Sequence, residues 1–140
     1  MREFVAFSND LEIALDRLAV DDLRGAELQL DQMQAVYGAG RTDLLSFYGY
    51  LFTVQGNYDR AIDAYEKSLA AFPTPRQQRS GPWMPLANLY FARHQYDLAL
   101  NTLVRQRAVY DTGRINSDGE VKALIAKLGA LGLTHPSLEE

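Results

Sequence analysis

Two stretches of this chain repeat one pattern 38 residues apart, and no other feature restricts its folding as tightly. Placing Ala61 on Ala99 also places Gly49 on Ala87, Phe52 on Tyr90, Tyr58 on Tyr96 and Tyr65 on Leu103. The earlier copy reads Leu45-x2-Tyr48-Gly49-x2-Phe52, then Ala61-x3-Tyr65 and Pro73; the later reads Trp83-x2-Leu86-Ala87-x2-Tyr90, then Ala99-x3-Leu103. Side chains spaced i, i+3, i+4 and i+7 line one stripe of a helix. Gly49 or Ala87 on that stripe, opposed by Ala61 or Ala99, allows two helix backbones to approach closely. Gly56-Asn57 signals the turn between the helices and Pro73 stops the second one. His94-Gln95 occupies the same turn in the later copy, so His94 reads as a turn residue rather than a catalytic base.

A weaker third copy lies first in the chain. Ala26-x3-Leu30 matches the second-helix motif 35 residues before Ala61, preceded by the stripe Leu11-x2-Ala14-Leu15-x2-Leu18. Asn9-x-x-Glu12 is a capping-box pattern for that stripe. On this reading Leu18 to Ala26 is one residue shorter than Phe52 to Ala61, and bulky Leu15 takes the small-residue position. Ser117-Asp118-Gly119-Glu120 is a second capping box, ahead of Val121, Leu124, Ile125 and Leu128 at helical spacing. A helix over about 117–131 would cover the last apolar face of a repeat array. Leu133 to Glu140 then reads as a fraying tail.

Together the copies carry the landmarks of the tetratricopeptide repeat, a helix–turn–helix unit of about 34 residues, and the chain resembles that family. The resemblance implies an all-α fold: a right-handed α-solenoid of antiparallel helix hairpins, with about seven helices in three hairpins plus a cap. One domain is expected over 1–140, with a degenerate repeat at about 7–40, repeats at about 42–75 and 80–113, and the cap at the end. The connector Pro73–Pro82 carries about four residues beyond the family period. It is either a longer surface loop or a groove rim where Arg76 and Arg79 meet an acidic partner.

A chain of 140 residues is long enough to bury a core without staples. It has no cysteine, which removes disulfides, thiol nucleophiles and thiolate metal sites and suits a reducing compartment. Its two histidines, His94 and His135, lie too far apart in sequence to suggest a zinc site. No stretch approaches the length of a membrane span, and the N-terminal residues turn acidic before any signal-like apolar run. The chain therefore reads as soluble and cytoplasmic. The net charge of −4 argues against nucleic acid, but the sign is uneven. Residues 1–70 hold 12 acidic and 6 basic side chains, residues 71–140 hold 6 and 8.

No phosphate-binding glycine loop, paired-carboxylate motif or Ser–His arrangement stands out, so neither catalysis nor a cofactor or metal is expected. Family members bind through the first helix of each pair. By that resemblance the groove presents Asp43, Ser46, Phe47, Tyr50, Thr53 and Val54 from the second pair, and Met84, Asn88, Phe91 and Ala92 from the third. Phe47, Tyr50 and Phe91 are aromatics that the repeat signature does not require, so they are candidates for contact energy or for packing between repeats. The carboxylate clamp of some relatives is not recognisable among these Leu, Phe, Tyr and Met positions. The expectation is an adaptor or small chaperone that holds a peptide or amphipathic helix of a protein partner. The alternative is a helical-repeat regulator answering a signalling peptide, or RNA through Arg76, Arg79, Arg93, Arg105 and Arg107. Self-association through the N-terminal edge is a further expectation for a short solenoid.

Overall fold

The structure, a computed structural model, describes residues 2–110 and 119–138. Among these the chain is all-α, with no strand. The helices are α1 (Arg2–Ala19), α2 (Leu23–Tyr37), α3 (Thr42–Val54), α4 (Tyr58–Ala71), α5 (Pro75–Gln78), α6 (Trp83–Ala92), α7 (Tyr96–Ala108) and α8 (Gly119–Ala130). Consecutive helices pack as pairs, α1 with α2, α3 with α4 and α6 with α7, a helical-repeat arrangement. Two compact units divide the chain, Met1–Ala71 and Phe72–Glu140.

All three pairs are closed by the same turn. Its central residue is Asp21, Gly56 or His94, with φ of 62°, 77° and 61°. In each turn the next amide reaches back to the final turn of the helix: Asp22 N to Arg17 O, Asn57 N to Phe52 O and Gln95 N to Tyr90 O, all at 2.8 Å. Asp21, Gly56 and His94 add N–H bonds to Leu18, Thr53 and Phe91 carbonyls at 3.0 Å. These are Schellman closures, which satisfy carbonyls that the helix end leaves unpaired and favour glycine at the left-handed position. Aspartate and histidine accept that conformation at a strain cost of about 1 kcal/mol.

These turns correct the register of the first hairpin. α1 ends and α2 begins 35 residues before the matching ends of α3 and α4, so no residue is missing from its turn. Ala14, not Leu15, stands where Gly49 stands: it is fully buried, whereas Leu15 is 44% exposed. The helix also starts before Asn9, because Phe7 has a place in the core. Its ring meets Tyr37 edge-on at 5.1 Å, and the Arg41 guanidinium lies 3.8 Å above it. Tyr37 donates its hydroxyl proton to Asp10 at 2.7 Å, tying α1 to the end of α2. Asn9 is thus an interior helix residue rather than a cap.

The first unit closes over Ala14, Ala26, Leu30, Met33, Leu44, Leu51, Ala61 and Leu69, all nearly inaccessible. Each buried leucine contributes about 1.5–3 kcal/mol. Where α3 crosses α4, a Cβ on Gly49 would lie 2.5 Å from Tyr65 Cε1. The Tyr65 ring, rather than the Ala61 methyl, occupies the space that glycine leaves.

In the second unit the connector is ordered. Thr74 caps α5 by accepting the Gln77 N–H at 3.3 Å, and Trp83 Nε1 donates to the Gln78 carbonyl at 2.7 Å. Arg79 Nε donates to the Val109 carbonyl at 2.8 Å, while Tyr110 donates to the Arg79 carbonyl at 3.0 Å. α8 buries Val121, Leu124 and Leu128. It begins at Gly119, and Ser117 and Asp118 of the expected capping box lie outside the described residues. The end of the chain is not a frayed tail throughout: Pro136–Leu138 form a 3-10 turn packed on α7, and Leu138 is buried.

Candidate functional site

The expected groove residues have different surroundings. On α3, Asp43 accepts two bonds from Arg41, Nε to Oδ1 at 3.1 Å and Nη2 to Oδ2 at 2.9 Å, and its Oδ1 also caps the Leu44 N–H. Ser46 meets Ser68 at 2.8 Å; Ser68 gives its own proton to the Thr42 carbonyl, so Ser46 is the donor. Thr53 bonds back to the Gly49 carbonyl at 2.7 Å. These three polar side chains are thus used within the first unit.

Phe47, Tyr50 and Val54 are free of such ties. Phe47 is half-buried, and Tyr50 and Val54 are 52% and 45% exposed. Ser46, Phe47 and Tyr50 line an open, mostly apolar cleft of about 330 Å³, whose remaining wall is Leu15 of α1. The sequence reading missed Leu15 because it was assigned to the small-residue position. A uniform 35-residue offset would have placed Ala14 there and left Leu15 facing out.

On α6, Met84 is half-buried and Asn88 and Ala92 are exposed. Phe91 packs edge-on against Tyr96 at 5.0 Å, with Lys127 Nζ of α8 5.8 Å from its ring centre. Its aromatic surface is therefore shared with the second unit's own helices. Arg76 is exposed on α5, whereas Arg79 is half-buried and bonded to the end of α7.

Two other depressions have more polar linings. Between α2, α3 and α4, Asp31, Gln34, Tyr48, Arg60, Asp63 and Lys67 surround about 260 Å³. Lys67 pairs with Asp63 at 2.9 Å, and Arg60 stacks 4.1 Å above Phe52. Tyr48 donates to Asp31, with the Gln34 side chain 3.1 Å away. Burial and then this bond to a carboxylate raise the Tyr48 pKa well above the ordinary tyrosine value, and burial raises that of Tyr65. In the second unit, His94 to Leu98 and Leu133 border about 340 Å³. His94 Nδ1 lies 2.6 Å from the Tyr96 hydroxyl.

Among the described residues no group of three His, Asp or Glu side chains could hold a metal ion, and no helix is long and apolar enough to cross a membrane. No protein-family model matches the chain, and no curated protein matches it.

Proposed function

We propose that the chain is a non-catalytic, tetratricopeptide-like interaction protein of the cytoplasm, an adaptor or small chaperone whose first-helix faces hold a segment of a protein partner. The observation that carries this reading is the cleft walled by Leu15, Phe47 and Tyr50. A contiguous apolar cleft with an aromatic side chain open to solvent is the kind of surface that protein-binding sites present, whereas single exposed apolar side chains are ordinary. The repeated hairpin supports the family reading, because arrays of such units bind through the faces their first helices share. The lack of cysteine suits a reducing compartment.

The test is affinity capture from the native host's lysate, comparing the wild type with Tyr50→Ser. Tyr50 is half in solvent, so its replacement leaves the core intact, and circular dichroism verifies that. A protein enriched by the wild type and lost by the variant supports the reading. Equal capture by both, or a specific thermal shift with a small metabolite in place of any protein, would sink it.

A further inference from the structure

We propose that the hollow between α2, α3 and α4 binds a small zwitterion, a free α-amino acid with an aliphatic side chain, its carboxylate on Arg60 and its ammonium on Asp31. This goes beyond the interaction-module reading, because the hollow belongs to the first unit and shares no lining residue with the cleft at Leu15. Along α3, Leu45, Tyr48 and Phe52 recur at steps of three and four, which places them on one face of the helix as the floor. Asp31 and Gln34 rise from α2, and Arg60, Asp63 and Lys67 from α4.

The pairings among these side chains leave two opposite charges. Lys67 neutralises Asp63 at 2.9 Å. Tyr48 gives its one proton to Asp31, and burial keeps that phenol protonated, so the bond persists at neutral pH. A carboxylate has about four acceptor sites, so Asp31 keeps its charge and room for a cation. Arg60 is steadied by Phe52, whose ring centre lies 4.1 Å from the guanidinium, a contact that leaves its N–H donors unused among the described residues. Neither Asp31 nor Arg60 forms an ion pair there, with each other or with any other group. Outside the lining, Glu27 adds negative charge to the α2 side and accepts from Gln55 at 3.1 Å, and Arg24 is about 10 Å along α2 from Asp31. Asp59 and Glu66 of α4 do not line the hollow either.

Two free charges of opposite sign beside one space of about 260 Å³ select a ligand that carries both. An anion alone would meet Asp31 and Asp63, and a cation alone would meet Arg60 and Lys67. The volume lies just below the range of about 300–1,000 Å³ that accommodates drug-sized ligands, so the occupant is smaller. Leu45, Phe52 and Ala64 supply the apolar part of the lining, on which an aliphatic side chain can rest.

The experiment is a nuclear magnetic resonance titration of the isotope-labelled full chain at about pH 6, where α-amino groups are charged. The ligands are L-leucine, N-acetyl-L-leucine, which lacks the ammonium, and L-leucinamide, which lacks the carboxylate. Asp31 and Arg60 are exposed, so leucine should bind with a Kd of about 1 mM and each derivative about fivefold more weakly. The shifts should saturate and centre on the amides of Asp31, Tyr48 and Arg60. Arg60→Gln should weaken leucine to the level of leucinamide and leave leucinamide unchanged, and Asp31→Asn should do the same with N-acetyl-leucine. Circular dichroism checks that both variants fold, and the three ligands on the wild type test the charges without any variant. No saturable shift at about twenty times that Kd, equal binding of the three ligands, or indifference to both substitutions overturns the inference. Shifts centred on Phe47 and Tyr50 place the amino acid in the cleft and overturn it as well.

Discussion

Replacing Gly49 by alanine should destabilise the protein even though alanine is the better helix former. The gain in helix propensity is at most about 1 kcal/mol. Against it stands the Tyr65 ring, whose Cε1, Cδ1 and Cζ would lie 2.5, 2.6 and 2.7 Å from the new methyl. Non-bonded carbons settle at about 3.5–4.0 Å, so the ring must retreat by about 1 Å or α3 and α4 must part. Tyr65 is 4% exposed, and overpacking of this kind costs about 1–3 kcal/mol. The net loss should be about 1–2 kcal/mol, or about 4–8 °C in Tm. The second unit suggests the rescue, since it buries Ala87 and Leu103 at the corresponding positions. Tyr65→Leu alone should lose about 1–3 kcal/mol through the space it vacates. The double variant should lose less than the two singles together, with a coupling of about 1 kcal/mol or more. Urea unfolding followed by far-ultraviolet circular dichroism measures all four corners of the cycle. A Gly49→Ala variant as stable as the wild type, or a cycle additive within about 0.5 kcal/mol, would refute the close approach.

Two further predictions concern the same hairpins. Tyr48 and Tyr65 have folded pKa values above that of an unfolded tyrosine, so the folded state retains protons that the unfolded chain releases. Their contribution to stability is complete below about pH 10 and is lost as pH rises beyond it, by up to about 1.4 kcal/mol per pH unit for each. Urea midpoints between about pH 9 and 11 should fall, and less steeply in Tyr48→Phe; an unchanged slope in that variant excludes Tyr48 as a source. At the turns, Gly56→Ala should cost about 1 kcal/mol, and Asp21→Gly should gain about 0.5 kcal/mol by relieving a left-handed residue. Thermal unfolding checks both, and a stabilising Gly56→Ala would show that the turn is not held in that conformation.

Helical periodicity, the turn at Gly56-Asn57 and the match of Ala61 with Ala99 are local or evenly repeated signals. They were legible because the forces behind them, backbone conformation and the burial of one stripe, act within a single helix pair. The same signals were ambiguous wherever neighbouring residues were both apolar. Ala14 and Leu15 differ by about 100° around α1, and either can be written into the small-residue position. Only the helix packed opposite decides between them, and α2 takes the smaller one. Nor could α1 be seen to begin before Asn9, since the reason lies in Tyr37 and Arg41, far along the chain, closing over Phe7.

The candidate surface divides along the same line. The first-helix stripe of α3 was readable from the repeat, including Phe47 and Tyr50. That Phe91 would instead be shared with Tyr96 and Lys127, and Arg79 with the Val109 carbonyl and Tyr110 hydroxyl, depends on contacts with other helices and chain ends. The order of residues alone settles that this chain forms paired helices with one turn at Gly56 and again at His94, because a helix and its turn are stabilised by neighbours in sequence; that the first pair closes on the same turn at Asp21 emerges only from its packing. Which aromatic remains open to solvent is settled only when the helices meet, because exposure belongs to the surface left after every other side chain has found its place.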